Sequence, residues 1–179
     1  MFNIGDLVIY SNQGICRIDD ICEKTYSGIT RNYYIMSPIE DSTLTIQNPV
    51  DNDRNLMREI IGKSESEEIL DSFKLPGIQW IDHASERHKN YSEIVSSGDR
   101  KEISSVLNTL MSKKYEFEMI DKKLSEHDRR LLLHIQKILF KELAITLDTT
   151  VKAIEKDINR MIAQKMSKTS HHEVANFVN

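Results

Sequence analysis

Over the first sixty residues apolar and polar side chains alternate in short runs, the period-two signature of half-buried strands. Leu7 to Tyr10, Gly14 to Ile21, Tyr33 to Met36 and Leu44 to Ile46 are such runs, rich in β-branched and aromatic residues. Turn formers separate them: Ser11-Asn12-Gln13-Gly14, Ser27-Gly28 and Asp41-Ser42. Pro49, which has no N–H to give a ladder, closes the last run. Four or five short strands with tight turns predict a small Tudor-like or SH3-like β-barrel.

After Gly62 the period lengthens to 3.6, so a domain boundary is expected there. The predicted division is a β module over residues 1–61, a helical domain over 62–163 and a flexible tail over 164–179. Ser64 with Glu67 reads as a capping box for a first helix that carries Ile69, Leu70 and Phe73 and stops before Pro76-Gly77. Trp80, Ala84, Arg87, Tyr91 and Ile94 recur every three or four residues, predicting a second helix from Trp80 that ends at Gly98. Asp99 and Glu102 cap a third helix, with Ile103, Val106, Leu107, Leu110 and Met111 on its apolar stripe. A fourth starts at Ser125, with Asp128 three residues on, and runs through Leu131, Leu132, Ile135, Ile138, Leu139 and Leu143. A fifth spans residues 148–162, with Val151, Ile154, Ile158, Met161 and Ile162 inward. The fold class is therefore α+β, a small β-barrel followed by about five helices.

Composition narrows the function. At 39% hydrophobic and 29% charged residues the chain reads as an ordinary globular protein. No apolar run approaches the eighteen residues a membrane span needs and no signal sequence opens the chain, so a cytoplasmic protein without a membrane partner is expected. Cys16 and Cys22 are too few for a disulfide framework and lie in strand-like sequence rather than a zinc knuckle. The net charge is −4, which argues against a tight, unaided DNA binder. The deficit lies at the front: residues 1–60 hold five Lys or Arg against nine Asp or Glu, and the remainder balances. An acidic front and a neutral back fit a protein carried to DNA by a protein partner.

Catalytic constellations are missing from the sequence. There is no Gly-rich phosphate loop, no G-x-S-x-G elbow and no H-E-x-x-H. His83 and His88 are off the i, i+4 spacing that puts two ligands on one helix face, and His171-His172 fall in the expected tail. The carboxylates are scattered, so no catalytic residues, metal, cofactor or small-molecule substrate are expected.

The stretch from Trp80 to Asp99 holds the single tryptophan, with Arg87, His88 and Lys89 one to two turns on. An apolar wedge beside cations suits a contact to a DNA fork or minor groove, the ring intruding between bases while cations hold phosphate. At helical spacing a lone tryptophan is more often a core residue than a ligand contact, and the stretch alone favours the core reading. Arg129, Arg130, Lys137 and Lys141 line the polar side of the fourth helix, a solvated face or a phosphate contact.

The motifs taken in order carry more. Phe2 to Ile21 (FNIGDLVIYSNQGICRIDDI), Thr43 to Asn52 (TLTIQNPVDN), Met57 to Gly62 (MREIIG), the W…R.K…SGD stretch and EHDRRLLLHIQKILFKELA together resemble the CarD/CdnL family of bacterial transcription regulators, over roughly residues 1–147. The resemblance implies a Tudor-like module that binds the β subunit of RNA polymerase and a helical domain that touches promoter DNA at the upstream edge of the bubble, stabilising the open complex. It also implies polymerase contacts at Lys24, the family's basic residue in the turn after the second strand, and at Gln47, where the family has an arginine just before the proline. Gln47 lacks the bidentate cation. The family's wedge tryptophan matches Trp80, and its phosphate-binding residues match Arg87 and Lys89. Counted back from Ser97-Gly98-Asp99, Trp80 lies four residues further upstream than in the family, about one helical turn, which keeps the face if the helix runs through Asp82 to Arg87. The same module occurs in the transcription-repair coupling factor, whose helicase motifs are absent here. Two other readings compete: a sequence-specific helix-turn-helix over Leu143 to Ile162, offering Lys152, Lys156 and Arg160, and a protein-interaction module with Trp80 in its core.

Overall fold

The computed structural model describes residues 1–10, 13–51 and 57–176, with side chains described through residue 168. The chain divides into two compact units, Met1–Ile61 and Gly62–Asn179.

The first unit is a five-stranded antiparallel sheet, β1 (Leu7–Tyr10), β2 (Gly14–Tyr26), β3 (Ile29–Pro38), β4 (Ile46–Pro49) and β5 (Met57–Glu59), in the order β4-β3-β2-β1-β5. This is a Tudor-like arrangement, left open among the described residues because β4 and β5 are its two edges. Val8, Cys16, Ile18, Tyr34 and Met36 fill its core, with Phe2, Tyr10, Ile21, Ile46, Val50 and Met57 packed around them. The edge of the Phe2 ring meets Tyr34, whose hydroxyl accepts a hydrogen bond from the Phe2 N–H.

Two strands are longer than the alternation predicts. β2 continues past Ile21 to Tyr26 and pairs there with Ile29–Tyr33. In this outer part neither face is fully buried, so Glu23 and Thr25 are polar where the inner part of the strand is apolar, and the period-two signal vanishes. Lys24, expected in a turn, is therefore a strand residue paired with Arg31. The turn is Ser27-Gly28, both with positive φ (51° and 78°), the combination that closes a two-residue hairpin with the sheet's own twist. The predicted run at Leu44 also shifts. Leu44 is exposed, and β4 starts at Ile46 with Pro49 as its last residue on an edge, where a missing N–H costs no ladder bond.

The second unit is helical: α1 (Lys63–Ser72), α2 (Ala84–Ser97), α3 (Arg100–Glu118), α4 (Glu126–Thr146) and α5 (Val151–Asn176). α3 and α4 are central, each packing against the other four. Their stripes meet as Val106, Leu107, Leu110, Leu132, Ile135, Leu139 and Leu143, joined by Ile69 and Phe73 from α1 and by Ile154, Ile158 and Ile162 from α5. The Asp99 carboxylate accepts from the N–H groups of Lys101 and Glu102, and the Ser125 hydroxyl from that of Asp128, so both predicted caps form. The capping box at Ser64 and Glu67 does not: α1 starts at Lys63 with Gly62, two residues before Ser64, at its N-cap and no side-chain cap. α5 runs on past Ile162 to Asn176 in place of the expected tail, and Lys165 explains why. Its half-buried ammonium donates to the Leu75 carbonyl (3.2 Å) and to Asn108, which ties the first added turn to the rest of the unit.

Between α1 and α2 the chain runs irregularly from Phe73 to His83, and Trp80 lies in this segment. The predicted helix from Trp80 is corrected: α2 begins at Ala84, with His83 extended at its N-cap. The reason is visible in the hydrogen bonds, since the carbonyls of Ile78, Gln79, Ile81 and Asp82 are taken by side chains of α2 and α3 and are not free to build a turn. Gly77 lies against α3, where a Cβ would come within 2.3 Å of the Thr109 hydroxyl, 2.5 Å of the Ser105 carbonyl and 2.8 Å of the Thr109 nitrogen. Gly77→Ala should therefore push the segment off α3 and destabilise the protein by about 1 to 3 kcal/mol, read as an earlier thermal unfolding transition.

Candidate functional site

The loop bearing Trp80 is fastened one carbonyl at a time. Asn108 Nδ2 donates to the carbonyls of Ser72 (3.2 Å) and Leu75 (2.9 Å), and Thr109 Oγ1 to that of Ile78 (2.6 Å). The hydroxyl of buried Tyr91 donates to Gln79 (3.0 Å). Arg87 Nη1 donates to Ile81 and to Asp82 (3.2 Å). A segment without its own secondary structure must give its backbone groups partners elsewhere, and here they come from α2, α3 and α5.

Arg87 is the centre of this arrangement and is only 4% exposed. Its Nε and Nη2 meet the two carboxylate oxygens of Asp128 at 3.1 and 2.7 Å, the paired fork that suits a guanidinium. Its Cζ lies 3.9 Å from the centroid of the Trp80 ring. The phosphate contact expected at Arg87 does not fit this burial: all three of its guanidinium nitrogens bond within the protein, the Trp80 ring covers one face, and the side chain acts by positioning Trp80. Trp80 itself is half-buried. The edge of its indole meets Phe117 (centroids 6.1 Å apart, planes at 85°), and the Lys113 ammonium stands 5.7 Å from its centre. Lys113 and Phe117 are one turn apart on α3, so a single helix face supplies both.

Lys89 is exposed on α2, but two residues from Arg87 it leaves the helix roughly 200° further round, so it does not share the Trp80 side. His88 lies between them in angle and stacks on His127 of α4 at 4.8 Å. Arg129 and Arg130 both bind Glu126 (2.9 and 2.8 Å), whose carboxyl their hydrogen bonds lower to about 2. In the helix-turn-helix region Arg160 pairs with Asp157. Among the described residues no three metal-ligating side chains come together, and no helix is long and apolar enough to cross a membrane.

In the sheet unit Lys24 and Gln47 share a face. Directly paired residues of an antiparallel sheet project to the same side, so Lys24–Arg31, Cys22–Tyr33–Pro49, Tyr26–Ile29 and Ile35–Gln47 all lie opposite the core. The Tyr26 hydroxyl donates to Gln47 Oε1 at 2.6 Å, and the Tyr26 ring meets Tyr33 edge-on at 5.4 Å.

The residues that the sequence reading missed are Asp128, Tyr91, Thr109, Asn108 and Lys165 as holders of the loop. Only Asp128 gave a local signal, and that signal pointed to a helix cap. It takes part in one, its N–H donating to the Ser125 hydroxyl (3.2 Å), while its Oδ2 accepts from that hydroxyl at 2.6 Å. Burial alone would push the Asp128 carboxyl up, but hydrogen bonds from Arg87 and Ser125 and the charges of Arg87 and His88 outweigh it and hold the group below its ordinary value. A depressed carboxylate contributes stability that is present above its unfolded value, near 3.8, and lost as the pH falls through its folded value. Asp128→Asn should cost about 3 to 5 kcal/mol at neutral pH by leaving Arg87 buried without its counter-charge. In denaturant titrations at a series of pH values, the gap to the native protein should narrow below about pH 4.

Two family descriptions match the chain, the CarD-like/TRCF RID domain over residues 2–61 and the CarD C-terminal domain over residues 68–159. The first coincides with the sheet unit and the second with the helices that mount Trp80. The chain belongs to the CarD family of RNA polymerase-interacting transcription regulators.

Proposed function

We propose that this protein binds the RNA polymerase β subunit through the outer face of its sheet and stabilises the open promoter complex through Trp80 at the upstream edge of the bubble. The observation that carries the reading is the mounting of Trp80. A large apolar ring is left partly exposed while the backbone around it is tied to α2 and α3, an arrangement that preorganises a side chain for contact rather than burying it. Stacking on an exposed base needs no sequence code. Lys113, beside the indole and paired with Glu116 at 2.6 Å, would meet backbone phosphate there by exchanging that partner. Lys89, on another side of α2, reaches phosphate only if the duplex passes that side. The net charge of −4 supports delivery by polymerase over independent search for DNA. Lys24 and Gln47 on the outer sheet face are the polymerase contacts in this reading.

Trp80→Ala should shorten the lifetime of the polymerase open complex while costing about 1 to 2 kcal/mol of stability, the scale of one cation–π and one aromatic pair. Competitor-challenge kinetics on a promoter, set beside thermal unfolding, check both. A loss of 3 to 5 kcal/mol with a lifetime that follows only the folded fraction would make the ring a core residue and remove the DNA assignment. Binding of the purified protein to free duplex in a gel shift should be weak, and tight binding there would instead favour an autonomous DNA binder.

A further inference from the structure

Lys24 and Arg31 face each other across β2 and β3, two cations in direct register on the outer face. Neither side chain makes an ion pair or hydrogen bond among the described residues, although the surrounding unit is acidic. Arg17, by contrast, is paired with Asp19. Like charges directly opposite one another destabilise a sheet, so folding alone does not account for the pair. Beside it Tyr26 and Ile29 are 50% and 55% exposed, with half-buried Tyr33 on the same face. Aromatic and aliphatic side chains flanking an arginine have the composition of a protein interface. Gln47, further along the face, has its carbonyl oxygen engaged by Tyr26 and brings no charge.

We propose that Arg31, with Lys24 opposite it across the strand pair, receives a carboxylate side chain on the polymerase surface. The inference rests on the polymerase reading above and names the chemistry of the partner at that face. An acidic protein segment is favoured over nucleic acid because the exposed apolar side chains need apolar counterparts and the unit's net negative charge opposes a duplex. Filling the site replaces a repulsion by two attractions, so its contribution appears on binding.

The test uses the full chain and the cognate core RNA polymerase, with wild type, Arg31→Glu, Arg31→Gln and Lys24→Glu compared by equilibrium binding at two salt concentrations. Arg31→Glu converts the like-charged pair into an opposite-charged one, so its melting temperature should equal or exceed that of wild type. Its polymerase affinity should nonetheless fall by roughly tenfold or more, with Arg31→Gln intermediate and the difference shrinking at high salt. Stability held while affinity falls is an outcome that a purely structural role cannot give. If wild type binds and the Arg31 variants bind equally well, Arg31 is no part of the contact and the proposal is overturned, with the polymerase reading intact. If wild type does not bind, both fall. Loss of free-duplex binding in Arg31→Glu with polymerase binding unchanged would assign the pair to nucleic acid and overturn the proposal as well.

Discussion

A guanidinium buried without its counter-ion would cost several kcal/mol, and the helical unit avoids that cost by building around Arg87. Asp128 takes two of its nitrogens, two loop carbonyls take a third, and the Trp80 ring covers its face. Because the carboxylate comes from the first turn of α4, the arginine from α2 and the carbonyls from the loop, one ion pair fixes three segments at once. A second pair repeats the device at the other end of α4, where Arg100 binds Glu142, itself 1% exposed, and donates to the Gly98 carbonyl that ends α2. α2 is thus clamped at both ends, and the indole is held at the end where the chain is irregular.

This division of labour separates holding from contact. Arg87 supplies charge and geometry inside the protein, while the ring it holds and the nearby Lys113 remain partly open to solvent. The sheet unit shows the same separation across its two faces. Ile18, Tyr34 and Met36 turn inward to make the core, and the alternate residues of the same strands, Tyr26, Ile29 and Arg31 among them, turn outward and contribute little to folding. A short sheet with one committed face leaves the other available for recognition.

The apolar stripes of α3 and α4 were legible because each helix buries one continuous face, and a period of 3.6 survives when only one face is buried. The caps at Asp99 and Ser125 were legible because a cap is a local interaction. The outer half of β2 was not, since alternation needs a buried side to contrast with an exposed one and Cys22 to Tyr26 have none. Trp80 illustrates the harder failure. Its spacing to Ala84, Arg87 and Tyr91 is helical, yet the residues on that apparent stripe have separate tasks, Tyr91 holding Gln79 and Arg87 holding Ile81 and Asp82. Local pattern carried no information about Asp128 as the partner of Arg87, 41 positions away. Val151, expected inward at the start of α5, is exposed for a simpler reason: the helix begins there, and its first turn overhangs the core.

The same sequence separations govern when the site can exist during folding. The loop around Trp80 is tied by Asp128 from 41 residues on, through Arg87, and by Lys165, 90 residues beyond the Leu75 carbonyl it holds. Contacts of that range bring loop-closure entropy that must be overcome before they contribute, so they form after the local helices. A chain emerging from the ribosome therefore makes α2 and α3 well before α4 supplies Asp128 to fix Arg87 under the indole, and the start of the loop at Leu75 is tied only when the last helix docks. A partly synthesised or truncated helical unit carries the tryptophan without its mount, which couples the placement of the ring to completion of the fold.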